Sequence, residues 1–367
     1  MEHTPEALQR AIDAGEPVSI LDVRNREECE AWAIEGPGVE RTQVPYMEFV
    51  AAKANGSVGA LVDGEDYVVV CAEGVASAEV AESLREAGIP AANLDGGMEA
   101  WGRLYDAREF TAGEAAVVQY RRPATGCLAY LVVSGGEAAV VDPLRAFADR
   151  YATDAEERGA DLRYAIDTHV HADHLSGLRE SEATRIMSRQ AVDRGVSFPV
   201  ETVGDGDRLP LGDTDLEIVA TPGHTTGMIS IRVGNALLCG DTLFVEGVPR
   251  PDLEPGADPE AAARELYHTV VDRLGDFVPE TRVCPGHYTP GDPPSRDGSY
   301  TAALGPLRAR IEGFGSAEAF AERVARATGD PPANVERILA SNLGTEEIDD
   351  DTAFTLELGP NNCAASL

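Results

Sequence analysis

Four apolar stretches of this chain each run directly into an imidazole or a carboxylate. LRYAIDTH ends at His169, LEIVATPGH at His224, NALLCGD at Asp241 and TRVCPGH at His287. Each stretch has the short, aliphatic and β-branched makeup of a buried strand, so four strands are expected to carry a polar group at their carboxyl ends. Strand ends on one side of a sheet converge, and rigid elements hold metal ligands better than loops do. The first stretch continues as HVHADH, which adds His171, Asp173 and His174. Five of the seven histidines therefore lie in strand-end contexts, which scattered surface or core histidines would not do. His3, near the terminus, and His268, within a helical pattern, are read as ordinary residues. Neutral imidazole with carboxylate suits zinc, iron or manganese.

Around these stretches the pattern divides in two. Thr4-Pro5 supplies an N-cap and a first-turn proline, and Gly15 can stop the helix between them. The strand VSILDVR follows, and later YVVVCAEGVASAEVAESLREAG runs from strand through a turn into a helix. Alternating strands and helices predict a small α/β domain over residues 1–108, with the polar DAREFTAGEA as linker. Residues 115–300 read as hairpin-like strands with intervening helices, which predicts two sheets flanked by helices. Residues 301–367 read as a C-terminal extension of short helices ending in a strand-like TAFTLELG.

The charge balance excludes several partners. Lys+Arg number 30 against 64 Asp+Glu, a formal charge of -34, and Lys53 is the only lysine. Nucleic acid and anionic membrane both need clustered positive charge, so neither is an expected partner. The carboxylates are spread along the whole chain, which reads as adaptation to high salt, a halophilic protein. The six cysteines form no C-x-x-C pair, no apolar run reaches membrane-spanning length, and the N-terminus reads as a helix rather than a signal peptide. A cytoplasmic location is expected.

THVHADH, TPGHT, CGDTLF and PGHY, in this order, resemble the metallo-β-lactamase fold family. The resemblance implies an αββα sandwich with its metal site at one edge of the sheets. Within that family GDTLFVEGVPRPDL resembles the persulfide dioxygenase branch. It implies one Fe(II) per chain held by His169, His224 and Asp241, with positions left for sulfur and O2, and it makes Arg250 and Tyr288 the substrate-binding residues. Val248-Pro249 stand where many relatives have Cys-Gly. His171, Asp173, His174 and His287 are all present as well, either as a second metal site or as surroundings of the first. With the triad they would suffice for two Zn(II), so a glyoxalase II-like thioester hydrolase is the alternative.

Cys71 follows the strand YVVV and precedes a helix, a setting that stabilises a thiolate or a persulfide. C-x-x-G-x-x-S there, LDVRNREE before it and NLDGGMEAW after it resemble a rhodanese domain with Cys71 as its catalytic residue. Glu73 and Ala76 occupy the loop where many rhodaneses carry cations, which disfavours dianionic thiosulfate. The remaining cysteines, Cys127 and Cys363 among them, read as small apolar fillers or tail residues. The combined expectation is sulfane-sulfur metabolism: a small thiol persulfide is oxidised by O2 to sulfite, with a sulfur donor or acceptor served by Cys71. A homo-oligomer is compatible with this reading.

Overall fold

A computed structural model describes residues 2–64, 66–329, 331–359 and 362–365. The chain forms two compact units, one running to Tyr105 and taking in Arg122–Thr125, the other built from Asp106–Arg121 and Gly126–Glu357.

The first unit is a parallel five-stranded sheet in the spatial order Glu2–His3, Ala91–Leu94, Tyr67–Val70, Val18–Asp22 and Val39–Gln43. Adjacent residues of its central strands go to opposite faces. Ile20 and Val70 pack with Leu8, Ile12 and Trp101, while Leu21 and Val69 pack with Phe49, Val80 and Leu84. Covering both faces explains why these strands read as continuous apolar runs. The helix Pro5–Asp13 starts as its sequence dictates, with the Thr4 hydroxyl accepting the Ala7 N–H at 3.2 Å.

The second unit holds two sheets. One has seven strands, in the order Glu201–Val203, Thr184–Ser188, Asp161–Ile166, Glu137–Val141, Cys127–Ser134, Ala115–Arg122 and Asp106–Ala112. The other has six: Arg208–Leu211, Thr214–Ala220, Ile229–Val233, Ala236–Gly240, Arg282–Pro285 and Ala302–Ala303. Gly135 and Gly136, both at positive φ (53° and 82°), make the tight turn between Cys127–Ser134 and Glu137–Val141. Leu216, Ile218, Ile231 and Leu238 meet Val117, Leu128, Tyr130, Val132 and Ile166 between the sheets. Their neighbours Leu237 and Cys239 face outward, against the helices Pro259–Val271, Leu304–Glu312 and Ala317–Ala325. The helix Ala148–Glu157 packs on strands of the seven-stranded sheet. The layering is αββα, as the resemblance implied.

Two local expectations are corrected. DAREFTAGEA is no linker: Asp106–Ala112 is an edge strand paired antiparallel with Ala115–Arg122. Phe110 and Ala112 alternate into the core while Glu109 and Thr111 stay outside, so a strand with a single buried face reads as polar. TAFTLELG is no strand: Asp350–Leu356 is a helix whose N-cap, Asp349, accepts the Thr352 N–H at 2.9 Å. The cap and the packing of Ala353 and Leu356 against Leu175 and Ile338 override the β-propensity of its threonines and phenylalanine.

Candidate metal centre and sulfur-carrying loop

The strand-end side chains do converge. His169 lies three residues beyond Asp161–Ile166, His224 four beyond Thr214–Ala220, Asp241 directly after Ala236–Gly240, and His287 two beyond Arg282–Pro285. His169, His224 and Asp241 offer ligand atoms that all lie within 4.8 Å of one another, and none of the three is more than 1% exposed. Asp173, His174 and His287 gather beside them, and His171 forms a separate group with Asp142 and Asp167.

Each member of the triad is held from behind. Thr168 donates its N–H and its hydroxyl to Asp142, at 2.7 and 2.9 Å, so its oxygen is left to accept the Nδ1–H of His169 at 3.0 Å. That fixes the tautomer in which Nε2 of His169 presents its lone pair, and this atom has no partner. His224 gives its Nδ1–H to the carbonyl of Arg250 at 2.7 Å, which leaves Nε2 3.7 Å from Oδ2 of Asp241. Oδ1 of Asp241 is bound by Nδ1 of His287 at 2.7 Å, and Oδ2 is buried and unpartnered. Nε2 of His287 reaches Oδ2 of Asp173, also at 2.7 Å. His171 turns Nε2 to Asp142 at 3.1 Å and leaves Nδ1 unpartnered.

The electrostatics suit cation binding. Burial, with the neighbouring imidazoles, pushes His169 well below the usual histidine range, and burial lowers His224 despite Asp241. Burial opposes ionisation of Asp241, but the His287 charge and hydrogen bond outweigh it and hold the carboxyl below its ordinary value. His287 and His174 go the other way: burial is overcome by Asp241 and Asp173 around the first and by Asp173 beside the second. The triad is thus two neutral imidazoles and one carboxylate, the protonation state a metal requires. The buried, unpartnered Nε2 of His169 and Oδ2 of Asp241, in a triad whose ligand atoms all lie within 4.8 Å of one another, fit a divalent cation.

Several residues of the centre went unseen in the sequence. Asp142 sits at positive φ (52°) directly after the strand Glu137–Val141 and anchors both Thr168 and His171. It obeys the same strand-end rule as Asp241, so EAAVVD carried the signal. The C-terminal extension clamps the histidine loop. Asn342 donates to the carbonyls of His171 and His174, each at 2.9 Å, and accepts the Ser176 N–H, while Glu357 accepts the Leu175 N–H at 2.7 Å. Cys127 and Cys363, read as fillers, lie within the ligand cluster instead: Cys127 groups with Asp173, His174 and His287, and Cys363 with Asp241 and His287. Arg250 is buried, with its guanidinium on Asp252 at 2.7 and 2.9 Å and on the carbonyls of Gly329 and Asn362. Tyr288 stacks on Tyr300, ring centroids 3.9 Å apart.

In the first unit, Cys71 lies between the strand Tyr67–Val70 and the helix Val75–Glu86. Its Sγ accepts the Gly74 N–H and the Ser77 hydroxyl, both at 3.1 Å. The loop is fastened from below, where Met98 N–H and Glu99 N–H donate to the carbonyls of Cys71 and Ala72. A Cβ on Gly97, at φ +59°, would lie 2.4 Å from the Cys71 carbonyl oxygen, so only glycine fits beneath the loop.

An αββα sandwich with a buried His/Asp cluster at its strand ends defines a metalloenzyme, here sharing a chain with a cysteine-bearing α/β unit. Residues 4–104 match the rhodanese-like domain family, and residues 122–187 and 182–287 match the metallo-beta-lactamase superfamily. The human mitochondrial persulfide dioxygenase ETHE1 is 32% identical over 162 residues, which cover 41% of this chain and 59% of that protein. A hydroxyacylglutathione hydrolase from Parasynechococcus marenigrum is 31% identical over 176 residues, 44% of this chain and 67% of that protein. The crystal structure of ETHE1 from Myxococcus xanthus superposes with a TM-score of 0.53 at 27% identity, covering 62% of this chain and 98% of that one. The chain spans about three fifths of the length of the curated persulfide dioxygenases it matches. The chain belongs to the metallo-β-lactamase superfamily and carries a rhodanese domain ahead of that fold.

Proposed function

We propose that this protein oxidises the terminal sulfur of a small thiol persulfide with O2 at a mononuclear iron, and that Cys71 exchanges sulfane sulfur with the same pool. The observation that carries the reading is a two-histidine, one-carboxylate triad in the same chain as a cradled rhodanese-type cysteine. Such a donor set suits Fe(II), which when bound supplies the redox chemistry between sulfur and O2. The overall change is RSSH + O2 + H2O → RSH + SO3²⁻ + 2H⁺: the S–S bond breaks, the terminal sulfur is oxidised and dioxygen is reduced.

The protein's own part is positioning and proton handling. Thr168, Arg250 and His287 fix His169, His224 and Asp241 from behind, so the three ligand atoms need no rearrangement. The ligand side chains themselves are buried, so their ligand atoms are not held by bulk water. His287, a proton carrier between Asp241 and Asp173, is placed to exchange a proton at the edge of the triad. Arg250 positions His224 through its carbonyl. To grip a carboxylate of the carrier thiol, its guanidinium must exchange Asp252 for the substrate.

The second reading, a two-zinc thioester hydrolase, is favoured by Asp173, His174 and His287 lying beside the triad and by the similarity to a hydroxyacylglutathione hydrolase. A thioesterase has no evident use for Cys71. The test is an oxygen electrode with glutathione persulfide as probe: persulfide-dependent uptake with sulfite as product is expected. Oxygen-independent hydrolysis of S-lactoylglutathione, with no uptake, would overturn the proposal.

A further inference from the structure

The C-terminal extension reaches the metal centre through one side-chain amide. Asn342 is the last residue of the helix Val335–Asn342 and is 7% exposed. Its Nδ2 donates to the carbonyls of His171 and His174, each at 2.9 Å, and its Oδ1 accepts the Ser176 N–H, also at 2.9 Å. Both amide hydrogens and the oxygen are engaged, a combination that no other side chain of this length offers. The helix is held in turn: Ile338 packs with Leu175, and the carbonyl of Leu343 accepts the Ser197 N–H at 2.9 Å.

The turn gripped in this way carries Asp173 between the two bonded carbonyls. Oδ2 of Asp173 meets Nε2 of His287 at 2.7 Å, and Nδ1 of His287 meets Oδ1 of Asp241 at the same distance. An imidazole held by a carboxylate at each nitrogen has no freedom to rotate, and it fixes the carboxylate plane of Asp241. Oδ2 of Asp241 is thereby left unpartnered, 3.7 Å from Nε2 of His224. A shift of Asp173 is therefore passed, through buried groups in direct contact, to the only anion of the triad.

We propose that Asn342 is a positioning residue of the metal centre: it sets the place of Asp173 and, through His287, the aim of the Asp241 carboxylate, so that the C-terminal extension governs how tightly the triad holds its ion. The inference rests on the triad being the metal site and does not depend on the reaction carried out there. A helix that only braced the fold would affect stability and leave affinity alone.

Fe(II) is the probe. The metal-free full-length protein is titrated anaerobically in competition with a ferrous chelator, alongside Asn342→Ala, Asp173→Ala, the double variant and Ile338→Val. Asn342→Ala is expected to weaken binding about tenfold, the low end of the effect of removing a group that orients a ligand. In the Asp173→Ala background the same change should weaken it less than about twofold, because the connection is already cut. Ile338→Val loosens the packing of the helix and keeps the amide, so thermal stability should fall while affinity stays within about twofold of the wild type. Asn342→Asp has the same size and still accepts the Ser176 N–H but lacks the donors, and it carries the same cycle if Asn342→Ala does not fold. Equal losses of affinity with and without Asp173, or a loss in Ile338→Val as large as in Asn342→Ala, would overturn the inference. A wild type that holds no iron would overturn the triad reading along with it, so the two failures are told apart.

Discussion

Replacing Thr168 with valine removes one oxygen at almost constant volume. Thr168 is fully buried, so the change isolates its hydroxyl, which bonds Asp142 at 2.9 Å and His169 at 3.0 Å. Two losses follow. Oδ2 of Asp142 loses its bond to the hydroxyl, which costs about 1–3 kcal/mol of stability with or without metal. Nδ1 of His169 loses the acceptor that selects its tautomer, which lowers metal affinity by roughly 10–100-fold, or about 1.4–2.7 kcal/mol. Chelator competition on the full-length protein measures the second loss, and thermal unfolding of the metal-free form measures the first. Thr168→Ser keeps the hydroxyl and should restore most of the affinity. If Thr168→Val binds metal within about threefold of the wild type, Thr168 does not position His169, and the argument from back-side hydrogen bonds is refuted.

Three further outcomes are expected. Cys71→Ser should abolish sulfur transfer to a thiol acceptor while oxygen uptake on supplied persulfide survives; retained transfer would dismiss Cys71 as the carrier. The thermal midpoint should rise from dilute buffer to molar KCl, because a formal charge of -34 is self-repulsive and the Debye length falls to about 3 Å at 1 M; a flat or falling midpoint would contradict the halophilic reading. Burial opposes ionisation of Asp252, but the hydrogen bond from Arg250 outweighs it and holds the folded-state pKa below the ordinary value of about 3.9. The pair's stabilisation is therefore complete above that value and lost as pH falls through the lower, folded-state one. The stability difference between wild type and Asp252→Asn should shrink in that acid window, and a difference that grows there would reverse the assignment.

What the sequence made legible was the chemistry carried by local pattern. A strand-end ligand needs only an apolar run and a following histidine or aspartate, so His169, His224, Asp241 and His287 could be proposed together from separated segments, and the family resemblance singled out the first three as the triad. What stayed hidden depends on contacts across long separations or on one-sided burial. Asn342 and Glu357 clasp the histidine loop from about 170 and 180 residues away, and no local signal marks them. Cys363 looked like a tail residue because its neighbours Asp241 and His287 are far from it in the chain. Asp106–Ala112 read as a linker because one face of an edge strand is solvated. Asp142 was within reach, since it follows an apolar strand just as Asp241 does.

The central claim is tested most directly by asking what one preparation consumes. Protein purified anaerobically is analysed for metal, then offered glutathione persulfide in an oxygen electrode and S-lactoylglutathione without oxygen. The account predicts about one iron per chain in the triad and oxygen uptake only with the persulfide; Asp241→Ala, which removes the triad's single anionic ligand, should abolish both iron retention and uptake. Protein without iron that hydrolyses the thioester, consumes no oxygen, and loses that activity equally on changing Asp173, His174 or His287 would contradict it.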